Sequence, residues 1–143
     1  MKKQTIVILV LSLFCSNVFG QKTSQKSNEL LQCAIESKEF REFFFVCKHP
    51  ADTITLIDTS ARFSNFSLLL CNRYFAIDTL LPFVINVNKR AAEETKDKIM
   101  LWHKEGRRQV TFSFFEPFSN ANIILKVNKA GRHKVSLIQK GQY

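Results

Sequence analysis

The clearest pattern in this 143-residue chain is an alternation of apolar and polar side chains in its C-terminal third. In the segment QVTFSFFEPFSNANIILKVN, Gln109 to Asn128, apolar residues recur at every second position on both sides of Pro117. A period of two places such side chains on one face of a strand. We therefore predict strands at Gln109 to Glu116 and at Ala121 to Asn128, joined by a corner at residues 117–120.

Two neighbouring segments extend this pattern into a meander. KIMLWHK, residues 98–104, predicts a strand before the Glu105-Gly106 turn, and HKVSLIQK, residues 133–140, predicts one after the turn KAGR. The last three strands then direct their apolar side chains to one buried face. These side chains are Val110, Phe112, Phe114, Ile123, Leu125, Val127, Val135 and Leu137.

The N-terminal half supplies a cover for that face. SNELLQCAIESKEFR, Ser27 to Arg41, contains few β-branched residues, and Ser27 is a possible N-cap, so the segment predicts a helix. Leu30, Cys33 and Ala34 share one side of this helix. A sheet with one apolar face needs a partner layer, and the helix can provide it.

The segment after the helix predicts a hairpin. Phe43 to Cys47 and Thr53 to Asp58 are apolar or alternating, and they flank a proline-containing turn. Phe43 to Val46 could instead prolong the helix, because a short apolar run does not distinguish the two states.

The middle of the chain carries weaker strand patterns. Leu68 to Cys71, Tyr74 to Ile77 and Phe83 to Val87 predict three strands. Ala91 to Lys98 favours a short helix, and a helix that continued to Lys104 would replace the first strand of the meander.

Together these elements predict an α+β fold, in which an N-terminal helix packs on a curved antiparallel sheet that ends in a β-meander. The order helix, hairpin, irregular middle and meander resembles the cystatin-like and nuclear-transport-factor-2-like cones, in which a curved sheet wraps a helix. The resemblance rests on element order, so it implies no functional residues. Folds of this kind host enzymes, carriers and inhibitors alike.

The first twenty residues have the three parts of a secretory signal: Lys2 and Lys3, an apolar run from Ile6 to Phe14, and Gly20 before a polar stretch. We assign residues 1–20 to a signal peptide, 21–27 to a short flexible arm and 28–143 to a single domain. The apolar run is shorter than the roughly 20 residues that span a bilayer. We expect export to a periplasmic or extracellular location, by a signal typical of bacteria.

A lipoprotein tether at Cys15 is disfavoured, because Leu13 and Phe14 occupy the positions where a lipoprotein signal has small residues. Three cysteines remain after cleavage of the signal. Their apolar neighbours favour small buried side chains, and one internal disulfide with one free thiol is the alternative. They are Cys33, Cys47 and Cys71.

The chain is basic, with a formal net charge of +9 that falls to +7 when the two signal lysines are removed. Positive charge concentrates after Gly106, on predicted turns and on the polar face of the sheet, where it could attract an anionic surface, a glycan or another protein. A solvated basic face is the alternative. We expect no nucleic acid, because the aromatic residues mostly point inward. The candidate partner-binding residues are Arg107, Arg108, Lys126, Lys129, Arg132 and Lys134.

No motif for catalysis or cofactor binding occurs in the sequence. The phosphate-binding loops GxGxxG and GxxxxGK[ST], the elbow GxSxG and the zinc helix HExxH are all absent. Cys47 and His49 could offer two ligands to zinc, but a structural site needs four. We therefore expect no cofactor and no metal site.

These observations favour a small exported, non-catalytic binding domain. It would bind through the open side of the sheet or through the corner loops Pro117 to Asn120 and Asn128 to Arg132. One alternative is an enzyme with a pocket at the open end of the sheet, lined by Tyr74, Trp102 and His103. The other is an inhibitor or immunity-type protein that acts on another protein.

Overall fold

The structure, a computed structural model, describes residues 25–48, 53–58, 60–63, 65–78 and 97–142. Within these ranges the chain is a mixed α+β fold, in which two short helices accompany a curled seven-stranded sheet that forms a half-barrel. The predicted signal peptide, the predicted strand at Phe83 to Val87 and residues 91–96 of the predicted short helix lie outside the described residues.

The predicted N-terminal helix is divided in two by Ser37. Residues 25–36 form α1, which already includes residues 25–27 of the predicted arm, so Ser27 is not its N-cap. Ser37 is extended and acts as the N-cap of α2, Lys38–Phe43. Its hydroxyl donates to the carbonyl of Ala34 (2.7 Å) and accepts from the backbone N–H of Phe40 (3.2 Å). One serine side chain thus ends α1 and starts α2.

The sheet contains seven strands in the order β2-β3-β1-β4-β5-β6-β7. The pairs β2–β3, β4–β5, β5–β6 and β6–β7 are antiparallel, whereas β1 lies parallel to both of its neighbours, β3 and β4. The strands are β1 Ile54–Asp58, β2 Ser67–Leu70, β3 Arg73–Asp78, β4 Lys98–Glu105, β5 Gln109–Glu116, β6 Ala121–Asn128 and β7 Val135–Gln142.

The parallel position of β1 corrects two predictions, the wholly antiparallel sheet and the hairpin before Asp58. Phe43 ends α2, and residues 44–48 form turns in which the N–H of Val46 donates to the carbonyl of Arg41 (3.0 Å). The chain therefore reaches β1 from a helix and not from a paired strand. Four of the five residues of β1 are buried, which is typical of a strand with a neighbour on each side.

The alternation in β5 and β6 is confirmed as the inside of the fold. Side chains of both helices and of five strands form one buried cluster on what we call the inner face of the sheet. A large apolar side chain contributes roughly 1.5–3 kcal/mol when fully buried, so this cluster is the main source of stability. Its largest fully buried members are Phe40, Phe63, Phe75, Phe112, Phe114, Leu31, Ile35, Leu56, Leu101, Ile123 and Leu125.

The predicted burial of β7 is wrong for one of its two residues. Val135 packs against the cluster, but Leu137 is 40% exposed. β7 is the last strand of the described sheet, and its pairing with β6 shifts register between Ile124 and Leu125. Such an irregularity bends the strand.

The remaining strand predictions are settled by β2, β3 and β4. β2 and β3 confirm two strands of the middle segment, and Cys71 and Asn72 join them in left-handed conformations with φ of 51° and 61°. Lys98–Glu105 is a strand, so the alternative of a helix continuing to Lys104 is wrong. None of the helices in the described ranges is long and apolar enough to cross a membrane.

Candidate functional site

A cavity of about 440 Å³ opens at the end of the sheet where α2 stops. It lies over the first residues of β1, β4 and β6, and the residues Ile54, Ile99 and Ala121 form its apolar base. Phenylalanines form the walls on both sides, and we call it the phenylalanine cavity.

One wall consists of three consecutive residues, Phe43, Phe44 and Phe45. The ring of Phe44 packs at a tilt of 56° against that of buried Phe40, with 4.8 Å between centroids, and this contact anchors the wall to the sheet. Phe45 has φ of 50° and is 52% exposed. A left-handed conformation costs an ordinary residue about 1–2 kcal/mol, and such strain is often found where a protein grips a ligand.

The opposite wall is Phe118, which is 55% exposed in the predicted corner at 117–120. The carboxylate of Glu116 holds this turn, because it accepts hydrogen bonds from the backbone N–H groups of Phe118 (2.9 Å) and Ser119 (2.8 Å) and from the Ser119 hydroxyl. The ring at the mouth of the cavity is therefore carried by a fixed turn.

The polar part of the cavity is an ion pair. Arg73, the first residue of β3, is only 5% exposed, and its guanidinium lies 3.0 Å from the carboxylate of Asp97, just before β4. The two meet at the end of the sheet where β1 begins, because β3 and β4 are the two neighbours of β1 and both start there. The Asp97 carbonyl also accepts from the N–H of Thr55 (2.9 Å). With Glu116, the described lining carries one more negative than positive charge.

A second hollow, of about 510 Å³, adjoins the cavity across Phe45. Lys38, Arg41 and Lys48 line it, and we call it the basic groove. The ammonium of Lys48 lies over the ring of Phe45, 5.1 Å from its centroid. Glu42 also lines the groove and pairs with Lys38 at 3.8 Å, so the groove keeps an excess of positive charge.

A disulfide bond between Cys47 and Cys71 fastens the aromatic wall to the turn between β2 and β3. Both residues are exposed, so their interpretation as small buried side chains is wrong, and the disulfide alternative holds. Cys33 has a free thiol on α1. Burial, followed by the charges of Glu36 and Glu29, raises the pKa of this thiol and so reduces its reactivity.

The three residues predicted to line a pocket do not come together. Tyr74 and Trp102 lie on the outer face of the sheet and are 48% and 42% exposed. The registers of β3 and β4 with β1 place them six residues apart along the sheet, about 20 Å. His103 is on the inner face, near the end opposite the phenylalanine cavity.

His103 belongs to a hydrogen-bonded network around buried Asp58. Asp58 accepts from the Ser60 hydroxyl (2.6 Å) and from the backbone N–H groups of Ser60 (2.9 Å), Arg62 (2.7 Å) and Phe63 (3.1 Å). Burial raises the pKa of Asp58, but these hydrogen bonds together outweigh burial and keep it below the usual value. The carboxylate fixes a turn, as aspartates near strand ends often do.

The network does not form a catalytic triad. The guanidinium of Arg62 donates to Nε2 of His103 (3.2 Å), which assigns the ring proton to Nδ1, 3.5 Å from the Ser60 oxygen. The Ser60 hydroxyl in turn donates a hydrogen bond to the carboxylate of Asp58. A nucleophilic serine needs the histidine as its proton acceptor, and here the serine lies between the other two residues.

His103 predicts a loss of stability on acidification. Burial and then the charge of Arg62 lower its pKa below the value of about 6.5 expected in the unfolded chain. The contribution of neutral His103 to the free energy of unfolding is therefore complete above pH 6.5. It is lost as the pH falls through the lower pKa of the folded state. Urea midpoints measured from pH 7.5 to 5.0 should fall, and His103→Gln should flatten the decline. His133→Gln is the control and should keep the decline of the unmodified protein. An unchanged decline in His103→Gln would mean that another titratable group causes the loss of stability.

Four of the six basic candidates gather at the end of the sheet opposite the cavity. Arg107 and Arg108 lie in the β4–β5 turn, and Lys129 and Arg132 lie between β6 and β7. The N–H of Lys129 donates to the carbonyl of Arg108 (2.9 Å), and its ammonium lies 3.7 Å from Glu105.

The other two basic candidates are separate from this group. Lys126 lies on the outer face of β6, and exposed Lys134 precedes β7.

Sequence reasoning missed the cavity. The sequence feature that could have indicated the cavity is FFF at residues 43–45. Three consecutive aromatic rings cannot all point into one core, so at least one of them must line a surface. Arg73 and Asp97 are 24 residues apart in the sequence, and their contact could be predicted only from the order of the strands in the sheet. Within the described ranges, no group of three or more histidine, cysteine or carboxylate side chains could hold a metal ion.

The fold and the cavity define the class: a small α+β domain with a phenylalanine-lined cavity at one end of a curled sheet. Comparison of the chain with protein-family models, with curated protein sequences and with solved structures gave no match.

Proposed function

We propose that this chain is a small exported, non-catalytic binding domain whose ligand occupies the phenylalanine cavity. The observation that supports this most is a cavity of about 440 Å³ whose lining includes two phenylalanine rings, Phe45 and Phe118, that are each more than half exposed. Small-molecule sites have volumes of about 300–1,000 Å³, mostly apolar linings and few polar groups. Covering two exposed rings gives an apolar ligand a large favourable contribution.

The rigid walls of the cavity are a second support. Phe44 rests on Phe40, Glu116 holds the turn of Phe118, and the disulfide at Cys47 ties down the segment after Phe45. A site that is already ordered loses less conformational entropy when its ligand binds.

Export is part of the same proposal. Residues 1–20 predict a signal peptide, and the Cys47–Cys71 disulfide is compatible with the oxidising compartments outside the cytosol. We propose a periplasmic or extracellular location.

We also propose that the fold is related to the cystatin-like and nuclear-transport-factor-2-like cones. The contact of α1 and α2 with the inner face of a curled sheet supports it. The parallel strand β1 is a departure from such a cone as the sequence predicted it. The enzyme alternative has less support, because its predicted residues do not line the cavity.

The proposal is tested by titrating the protein, purified from the periplasm of an expressing bacterium, with the neutral fluorescent probe N-phenyl-1-naphthylamine. We expect saturable binding. Ala121→Phe should lower the affinity at least tenfold, because the new ring occupies the base of the cavity. The matched control is Ala130→Phe, in an exposed turn at the other end of the sheet. Absence of saturable binding, or equal affinities in a folded Ala121→Phe variant, would contradict the proposal.

A further inference from the structure

We propose that the ligand is a soluble, single-chain anionic amphiphile, with its apolar chain in the phenylalanine cavity and its anionic group in the basic groove. This inference rests on the proposed function and adds the chemical class of the ligand. Its geometrical basis is that Phe45 lines both hollows, so the two are adjacent at this ring.

The charges of the two hollows differ in sign. The cavity lining contains Arg73, Asp97 and Glu116, with one excess negative charge, so an anionic group is disfavoured deep inside. The Arg73 guanidinium is already paired with Asp97 at 3.0 Å. The apolar end of the ligand therefore enters first.

The groove offers positive charge where the other end of the ligand emerges. Lys38, Arg41 and Lys48 line it against the single carboxylate of Glu42. The Lys48 ammonium already lies over the Phe45 ring, at the boundary between the two hollows. An anion there would gain a charge-assisted hydrogen bond within reach of the cavity mouth.

Arg41 is a further polar side chain of the groove. Its Nε is buried and has no hydrogen-bond partner within the described part of the chain. A buried donor that is left unpaired costs about 1–3 kcal/mol. Arg41 lines the groove, so an anionic oxygen is the complementary group.

The test compares two probes that differ by one sulfonate, neutral N-phenyl-1-naphthylamine and anionic 1-anilinonaphthalene-8-sulfonate. We expect the anionic probe to bind about tenfold more tightly to the unmodified protein. The double variant Arg41→Gln/Lys48→Gln should abolish this preference, with a larger loss of affinity for the anionic probe than for the neutral one. Lys48→Gln alone, at an exposed residue, should show part of the effect if the double variant does not fold.

A matched control removes the same charge elsewhere. Lys104→Gln/Arg107→Gln changes two exposed residues at the far end of the sheet and should keep the preference. Dodecanoate should displace the neutral probe at a concentration about tenfold lower than dodecyltrimethylammonium does. Equal displacement by the two, or a preference for the cation, would overturn the inference.

The outcomes separate this inference from the proposed function. Binding of the neutral probe without an anionic preference refutes only the ligand class, whereas failure of both probes refutes the binding function as well. Binding of the protein to phosphatidylglycerol vesicles tests whether the anionic group belongs to a membrane lipid or to a soluble ligand. Binding to these vesicles without displacement of the probe by dodecanoate would assign the groove to a membrane surface and overturn the soluble ligand.

Discussion

Replacing Phe40 by alanine is expected to destabilise the fold by about 3–5 kcal/mol, the range measured for large aromatic truncations in protein cores. Phe40 is fully buried, and its ring contacts those of Phe44 (4.8 Å), Phe75 (6.2 Å) and Phe114 (4.8 Å). Among the described rings, only Phe40 pairs with both a ring of the cavity wall and rings of two strands, so its removal leaves a void where α2 meets the sheet. Urea unfolding measures the loss.

Phe118→Ala is the matched control for Phe40→Ala. It removes the same ring from an exposed turn and should change the free energy of unfolding by no more than about 0.5 kcal/mol. In Phe40→Ala we also expect weaker binding of the naphthylamine probe, because Phe44 loses its support. A destabilisation below about 1 kcal/mol would mean that α2 is not docked on the sheet.

Removing the disulfide should have an effect of similar size. The bond joins residues separated by 24 positions, and closure of such a loop in the unfolded chain predicts about 3–4 kcal/mol of stabilisation. The variant Cys47→Ser/Cys71→Ser should lose this amount in denaturant unfolding. Both residues are exposed, so the serines leave no void in the core.

Two controls identify the origin of that loss. A reducing agent should lower the stability of the unmodified protein to that of the double variant and should leave the variant unchanged. Cys33→Ala keeps the bond and should lose much less. Equal stability with and without the bond would show that the turn after Phe45 is held by its backbone hydrogen bonds, such as that from Val46 to Arg41.

The strands β4, β5 and β6 were predictable because their pattern is local. Each pairs with the next strand in the chain, and alternation alone determines which side chains face the core. The helical cover was predictable in the same way, since the apolar positions of α1 pack on the inner face of the sheet.

The errors arose where non-local contacts decide the structure. Phe43 to Cys47 has a pattern compatible with helix or strand, but α2 ends at Phe43 and residues 44–48 form turns, so neither interpretation holds for most of the segment. The parallel position of β1 between β3 and β4 leaves no local mark in the sequence.

The cavity is non-local too, because the residues that line it are brought together only by the order of the strands. Arg73 and Asp97 are on strands that are not neighbours, and Phe118 reaches the site from the β5–β6 turn. Trp102 was predicted from the sequence to line a pocket. It is exposed on the outer face of the sheet, and exposure on one face of a sheet does not create a concave site.

The most direct test of the binding function is a crystal structure of the protein with dodecanoate. We expect electron density for the alkyl chain between Phe45 and Phe118, above Ala121, with the carboxylate towards Lys48. A cavity filled by other side chains, or dodecanoate bound on the outer face beside Tyr74 or Trp102, would contradict this expectation.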